Sequence, residues 1–295
     1  MSSAPDTAAE PRRRSVACLS PKGLHRVAYV EWGDPRNREV LICVHGLTRS
    51  SRDFDELARA LRTRFRVVCP DIAGRGDSDA LRDPMLYDIP QYVADMVTLI
   101  ARLDVETVSW VGTSMGGLIG MGLAAQPGTP IKRLVLNDVG AVLLKSSLQR
   151  IAAYTGNAPA FPSIEKAEEY VRTVSAPFGP HTDAQWRFLT ENWVRREPGG
   201  SYRAHYDPRI AERFKAIPPD KDIELWPVYD AIKAPTLLLR GERSDLLGRE
   251  TAAEMTRRGP KAKLVEIPGV GHAPTLLQPE QIAIVRDFLL QGEEQ

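Results

Sequence analysis

The chain has 295 residues, 43% of them hydrophobic and 26% charged, with 22 Gly and 23 Pro. That composition excludes a disordered chain, a coiled coil and a collagen-like repeat. Its 39 basic and 38 acidic side chains leave a net charge of +1, so the molecule as a whole attracts neither nucleic acid nor an anionic membrane. Mean hydropathy is −0.27, and no apolar run approaches the roughly 18 residues that a transmembrane helix needs.

In chain order, Met1 to Ser20 carries Ala, Pro, Ser, Glu and the run Arg12-Arg13-Arg14, with no apolar stretch. This segment reads as a flexible tail rather than a secretory signal, and the expected compartment is the cytoplasm. The cysteines at 18, 43 and 69 form no C-x-x-C pair, and an odd count argues against a complete internal disulfide framework. From Glu39 onward, short apolar runs alternate with amphipathic stretches. Glu39–His45, Phe65–Pro70, Thr107–Gly112, Ile131–Asn137, Pro235–Arg240 and Lys263–Ile267 read as buried parallel strands, apolar because both faces are covered. Asp53–Leu61 and Tyr92–Leu103 each place their apolar residues on one helical stripe. Asp88 before Pro90 reads as an N-cap with Pro in the first turn, and Gln281–Leu289 as a final amphipathic helix. The alternation predicts an α/β fold with a mostly parallel central sheet flanked by helices.

The alternation fails over 141–227. Helix starts are legible at Ser163 and at the capping box Thr182-Asp183-Ala184-Gln185, no convincing strand occurs, and the segment holds more than half of the 20 aromatic residues. It reads as an inserted helical cap with an apolar underside, Trp186 among its pocket-lining rings. The core domain is then 21–140 and 228–295.

Gly112-Thr113-Ser114-Met115-Gly116 matches G-x-S-x-G, a pattern expected by chance only about 0.1 times in a chain of this length. It lies between the strand-like V-E-T-V-S-W-V and a small-residue helix, which puts Ser114 at a sharp strand-to-helix turn with its hydroxyl above the sheet. A serine needs a base to take its proton. His272, in the loop Pro268–Pro274 after a strand, is placed for it, because sites in open α/β sheets lie at the carboxyl edge. His181 and His205 read as surface or pocket residues. A carboxylate must then fix the tautomer of His272. Asp245, just past the strand Pro235–Arg240, is preferred; Asp138, just past Asn137, is its rival, and both satisfy the order Ser, Asp, His. His45 reads as a buttress of its loop, leaving the backbone amides of Leu47 and Met115 as an oxyanion hole.

Together, His45-Gly46, Asp71-Ile72-Ala73-Gly74-Arg75-Gly76-Asp77-Ser78, the Ser114 elbow, Gly241-x-x-x-Asp245 and Gly271-His272 resemble the α/β-hydrolase family in order and spacing. The resemblance covers about Val27–Leu290 apart from the insertion. It implies that family's fold, with a helical cap between the sixth and seventh core strands. It also implies a serine hydrolase that cleaves a carboxylic ester of a small or medium acyl compound, carboxylesterase-like, through an acyl-enzyme. A serine nucleophile argues against epoxide hydrolases and haloalkane dehalogenases, which need a carboxylate. C–C, thioester or lactone hydrolysis on the same residues stays open, as does a non-catalytic ligand receptor of the same fold.

No metal-ligand spacing and no dinucleotide fingerprint occur, so neither metal nor cofactor is expected. The expected partner is a small-molecule ester, with no nucleic acid or membrane, in a monomer or homodimer. Arg49, Arg52 and Arg75 lie on loops at the carboxyl edge. The first reading is that they are solvated or pair with Asp53, Asp55, Asp77 or Asp79. The sharper one, with Arg49 and Arg75 as its candidate substrate-binding residues, is that at least one faces the pocket and binds a substrate carboxylate, as a hydroxyacid oligomer carries.

Overall fold

The computed structural model describes residues 10–157, 159–216 and 220–291. In chain order the first half of the core comprises β1 (Arg12–Ser20), β2 (Gly23–Trp32), β3 (Val40–Val44), α1 (Asp55–Leu61), β4 (Arg66–Pro70), α2 (Ile89–Leu103), β5 (Val108–Thr113), α3 (Met115–Ala124) and β6 (Ile131–Asn137). The insertion holds β7 (Val142–Leu143), α4 (Lys145–Tyr154), β8 (Ala160–Phe161), α5 (Ile164–Val174), α6 (Asp183–Glu191), β9 (Val194–Arg196), β10 (Tyr202–Ala204), α7 (Ile210–Ala216) and β11 (Ile223–Glu224). The core resumes with α8 (Trp226–Ala231), β12 (Thr236–Gly241), α9 (Arg249–Met255), β13 (Lys263–Ile267) and α10 (Pro279–Leu289).

Eight strands form one sheet in the order β1-β2-β4-β3-β5-β6-β12-β13. β1 and β2 pair antiparallel, as do β2 and β4, and the other neighbours are parallel. The parallel strands are apolar on both faces because helices cover both. Ile42, Val44, Trp110 and Leu134 pack on the α2/α3 side, whereas Leu41, Cys43, Val111 and Val135 pack on the α1/α10 side. Asp88 caps α2 by accepting from the Gln91 amide at 3.0 Å, with Pro90 in the first turn. No helix among the described residues is long and apolar enough to cross a membrane.

Two expectations change here. Arg12–Ser20 is not a tail but the edge strand β1, in full antiparallel register with β2. Cys18 and Ser20 point inward while Ala17 and Leu19 point out, a period-two pattern hidden among arginines and serines; residues 1–9 lie outside the described residues. The insertion, expected to lack strands, contains the three-stranded sheet β8-β10-β9 and the pair β11-β7. These strands have only two or three residues each, too short to show a periodicity. The two-stranded pair closes the base of the cap, with Val142–Leu143 opposite Ile223–Glu224.

Candidate active site

The turn after β5 holds Ser114 at φ 51°, ψ −115°, a backbone state that side chains rarely adopt and that points the hydroxyl away from the sheet. The turn is tight enough to exclude side chains from its flanks. A Cβ on Gly112 would overlap the backbone of Gly116, and one on Gly116 would overlap the carbonyl of Val44. Close packing of α3 on β3 and β5 compensates for the helix-weakening glycines.

His272 follows β13 and reaches back to the elbow, its Nε2 lying 3.0 Å from Ser114 Oγ. Its other nitrogen, Nδ1, lies 2.8 Å from Asp138 Oδ2. Asp138 is fully buried, and both its oxygens are held: Oδ1 takes the Gly241 amide at 2.8 Å and Oδ2 also takes the Ser244 hydroxyl at 2.7 Å. The loop carrying His272 is fixed by Asn137, whose Nδ2 donates to Pro274 O at 2.8 Å and Thr113 Oγ1 at 2.9 Å. Nothing in the residue pattern singled out Asn137 or Ser244. Their roles depend on three loops from β6, β12 and β13 meeting at one edge of the sheet.

Asp245 therefore does not contact His272; the residue in that place is Asp138. The Asp245 side chain is 54% exposed and pairs with Arg150 of α4 at 2.7 Å. Both aspartates follow adjacent parallel strands, so both sit at the carboxyl edge. Asp138, at φ 57°, turns its carboxylate under His272, whereas Asp245 lies four residues beyond β12 and faces the cap.

The cavity over Ser114 has a volume of about 400 Å³ and is lined by both core and cap, including Gly46, Leu47, Ser114, Tyr154, Trp193 and His272. Leu47 faces it. Met115 opens α3, so its N–H precedes the ladder of that helix. His45 behaves as a buttress. Its Nδ1 donates to Gly46 O at 2.7 Å and its Nε2 accepts from the Ile72 amide at 3.0 Å, which fixes the neutral tautomer. Burial pushes its pKa down, outweighing the nearby Asp71 carboxylate.

The three arginines are engaged elsewhere. Arg75 is fully buried. It donates to Leu47 O at 2.8 Å, Ala73 O at 2.7 Å and Tyr92 Oη at 2.8 Å, and its Nη2 lies 3.6 Å from Met115 Sδ. The rings of Tyr87 and Tyr92 flank its guanidinium at 5.5 and 5.2 Å. It thus braces both residues of the expected oxyanion hole and does not face substrate. Arg49 lines the cavity but grips both oxygens of Asp53 and the Leu189 carbonyl. Arg52 pairs with Asp55. Trp186 is buried against His181 and Arg172, away from the cavity lining; Trp193 takes the expected place. His181 joins cap to core, between Gly179 O at 2.9 Å and Thr275 Oγ1 at 2.8 Å.

Among the described residues, the donor set best able to approach a metal is Cys18, His25 and Asp95, whose ligand atoms lie within 4.8 Å of one another between β1, β2 and α2. It offers three ligands where a closed zinc site needs four. Burial pushes the Cys18 thiol up to about 12, and Asp95 already holds His25 Nε2 at 3.0 Å and Gln91 Nε2 at 2.8 Å. The cluster fits a packed polar junction better than a metal centre.

Ser114, His272 and Asp138 thus meet at the carboxyl edge of a mostly parallel α/β sheet. The chain matches the Alpha/beta hydrolase family over residues 41–285 and belongs to it. It is 53% identical over 287 residues to the 3-hydroxybutyrate-oligomer hydrolase of Cupriavidus necator, across 95% of this chain and 98% of that protein. It superposes on an alpha/beta hydrolase from Novosphingobium aromaticivorans with a TM-score of 0.85 at 38% identity, covering 95% and 98% of the two chains. A protein from Rickettsia typhi gives a TM-score of 0.88 at 32% identity, covering 96% and 99%.

Proposed function

We propose that this protein is a serine esterase that hydrolyses the ester bonds of short hydroxyacid oligomers, with 3-hydroxybutyrate oligomers the leading substrates. The observation that carries the chemistry is the single imidazole bridging Ser114 Oγ at 3.0 Å and Asp138 Oδ2 at 2.8 Å. The substrate class is supported by the similarity to the Cupriavidus necator protein and by a cavity whose cap wall is mainly aliphatic and aromatic.

In this reading Ser114 Oγ attacks the ester carbonyl while His272 Nε2 takes its proton. The amides of Leu47 and Met115 stabilise the negative charge that develops on the carbonyl oxygen. Asp138 holds the Nδ1–H tautomer of His272 and stabilises the imidazolium form. His272 then protonates the departing hydroxyl of the alcohol half, leaving an acyl group on Ser114. Water, deprotonated by His272, attacks the acyl-enzyme and releases the acid. The fully buried Asp138 does not shuttle protons with solvent; it orients. The enzyme is read as cytoplasmic, a compartment that suits its three buried, unpaired cysteines.

The test has two arms. A fluorophosphonate probe should label the wild type at Ser114 and leave Ser114→Ala unlabelled. Purified enzyme should release monomer from the 3-hydroxybutyrate dimer and trimer. Labelling without oligomer turnover would redirect the substrate to other esters; no labelling would remove the nucleophile assignment.

A further inference from the structure

Asp245 and Arg150 sit inside the cavity that holds Ser114 and His272, yet neither belongs to the proton-handling set. Arg150 comes from cap helix α4 and Asp245 from the loop after β12. Their contact, Nη2 to Oδ2, is 2.7 Å, with side chains 45% and 54% exposed. Side chains that line a cavity and remain this exposed stand at its open side, where an entering ligand can reach them. The other cation of the lining, Arg49, is 11% exposed and is spent on both oxygens of Asp53 and on a backbone carbonyl. Arg150 is thus the cationic side chain in the lining that is open to a ligand.

A half-exposed ion pair contributes little and exchanges readily. A guanidinium carries five N–H donors in a fork that matches a carboxylate, so its pairing with Asp245 does not exhaust it. The cap side of the cavity wall is otherwise largely apolar, with Ile151, Tyr154, Val171 and Trp193. An anionic group entering this cavity has Arg150 as its available counter-charge.

We propose that Arg150 is the subsite for the free carboxylate of an acidic ester substrate, and that Asp245 is the built-in competitor which that carboxylate displaces. The proposal rests on the ester-hydrolase reading and deepens it. In a hydroxyacid oligomer the free acid lies on the alcohol side of the terminal ester, so the leaving group is the half that Arg150 holds. Neutral esters of similar size enter the same cavity without this contact and leave the Arg150–Asp245 pair closed.

A structural latch and a competed anchor make different forecasts. If the pair merely ties the cap to the core, Arg150→Gln and Asp245→Asn break the same contact and act alike. If Arg150 is the anchor, they act oppositely, because one removes the anchor and the other frees it. The test uses the 3-hydroxybutyrate dimer and its terminal carboxamide, which has the same shape without the charge. Binding of both is measured by calorimetry on Ser114→Ala, alone and combined with Arg150→Gln or Asp245→Asn, and the quantity read is the acid-over-amide preference. Arg150→Gln should lower that preference about tenfold, the size of one charge-assisted hydrogen bond in a half-open site, and Asp245→Asn should raise it severalfold. The same ratio in kcat/KM is then read with Ser114 restored. No acid preference in Ser114→Ala, an unchanged preference in Arg150→Gln, or a shift of the same sign in both variants overturns the proposal. Failure of wild type to turn over either dimer, with the binding preference intact, overturns the substrate assignment and leaves the anchor standing.

Discussion

Asp138→Asn changes almost nothing in volume and everything in hydrogen-bond polarity. The carboxylate accepts three bonds, from Gly241 N at 2.8 Å, Ser244 Oγ at 2.7 Å and His272 Nδ1 at 2.8 Å. An amide has one oxygen. The Gly241 N–H can only donate, so that oxygen stays with it, and the new NH2 faces His272 Nδ1. A donor there requires Nδ1 to be unprotonated, which moves the ring proton to Nε2, against Ser114 Oγ, and removes the base. The resulting loss is about 10³- to 10⁴-fold in kcat, equivalent to roughly 4–5.5 kcal/mol at 1.36 kcal/mol per tenfold. Folding should change far less, because side-chain volume and the bond from Gly241 are kept and the group that loses its acceptor, the Ser244 hydroxyl, is only part-buried, at about 1–3 kcal/mol. Asp245→Asn, which touches only a half-exposed ion pair, should cost less than tenfold on a neutral ester. Initial rates on p-nitrophenyl butyrate, with melting curves for all three proteins, measure both effects. The reasoning is refuted if Asp138→Asn keeps more than a tenth of wild-type kcat, or if Asp245→Asn is the more damaging change.

Ser244→Ala removes one donor to Asp138 and the turn that accepts the Leu246 and Leu247 amides; kcat should fall about three- to tenfold and recover in Ser244→Thr, which restores the hydroxyl. Arg75→Met leaves the Leu47 and Ala73 carbonyls and the Tyr92 hydroxyl without their donor, at about 1–3 kcal/mol for each orphaned group. A melting temperature lowered by at least about 5 °C, with a lowered kcat in the folded fraction, is expected; full activity at unchanged stability would remove Arg75 as the brace of the oxyanion loop. Burial holds the His45 pKa below its usual value, and His181 and His205 are lowered in the same direction, also by burial. The unfolded chain takes up protons at these sites near pH ~6.5, and the native state does so only at lower pH. Stability from them is therefore complete above about that pH and is lost as pH falls below it. Melting temperature should drop between pH 7.5 and 5.5, and His45→Gln should be less stable at pH 7.5 yet fall more shallowly. Equal slopes in the two proteins would contradict the assignment.

The elbow was legible because its signal is local: glycines are forced where backbone meets backbone, and the strand and helix on either side have their own periodicities. His272 was legible because it lies in a glycine-bracketed loop beyond a strand. The acid was not, because Asp138 and Asp245 both follow strands that end at the same edge, and choosing between them requires the direction of a side chain. Arg75 misled for a related reason. A charged residue in an edge loop reads as solvated or ligand-binding, and only the two tyrosine rings and three acceptors around it make burial tolerable. The cap was visible as a break in pattern and a concentration of rings, but which rings face inward depends on helix packing, so Trp186 was exchanged for Trp193.

The insertion leaves the sheet after β6 and returns on β12, its direct neighbour, with Asn137 in register with Leu239. The short pairing of β7 with β11 then ties its two ends together before the cap begins. A segment anchored at two adjacent points can be lengthened, shortened or exchanged at an entropic cost that grows only logarithmically with its length. Ser114, Asp138 and His272 all lie outside that tie, whereas Arg150 and the aromatic wall lie inside it. In the proposed reading, proton transfer lies outside this seam, while the carboxylate anchor and most of the apolar wall lie inside it. A cap transplanted there is therefore expected to change substrate preference and leave Ser114, Asp138 and His272 in place, with Asp245 on the core side as the one member of the anchor pair retained.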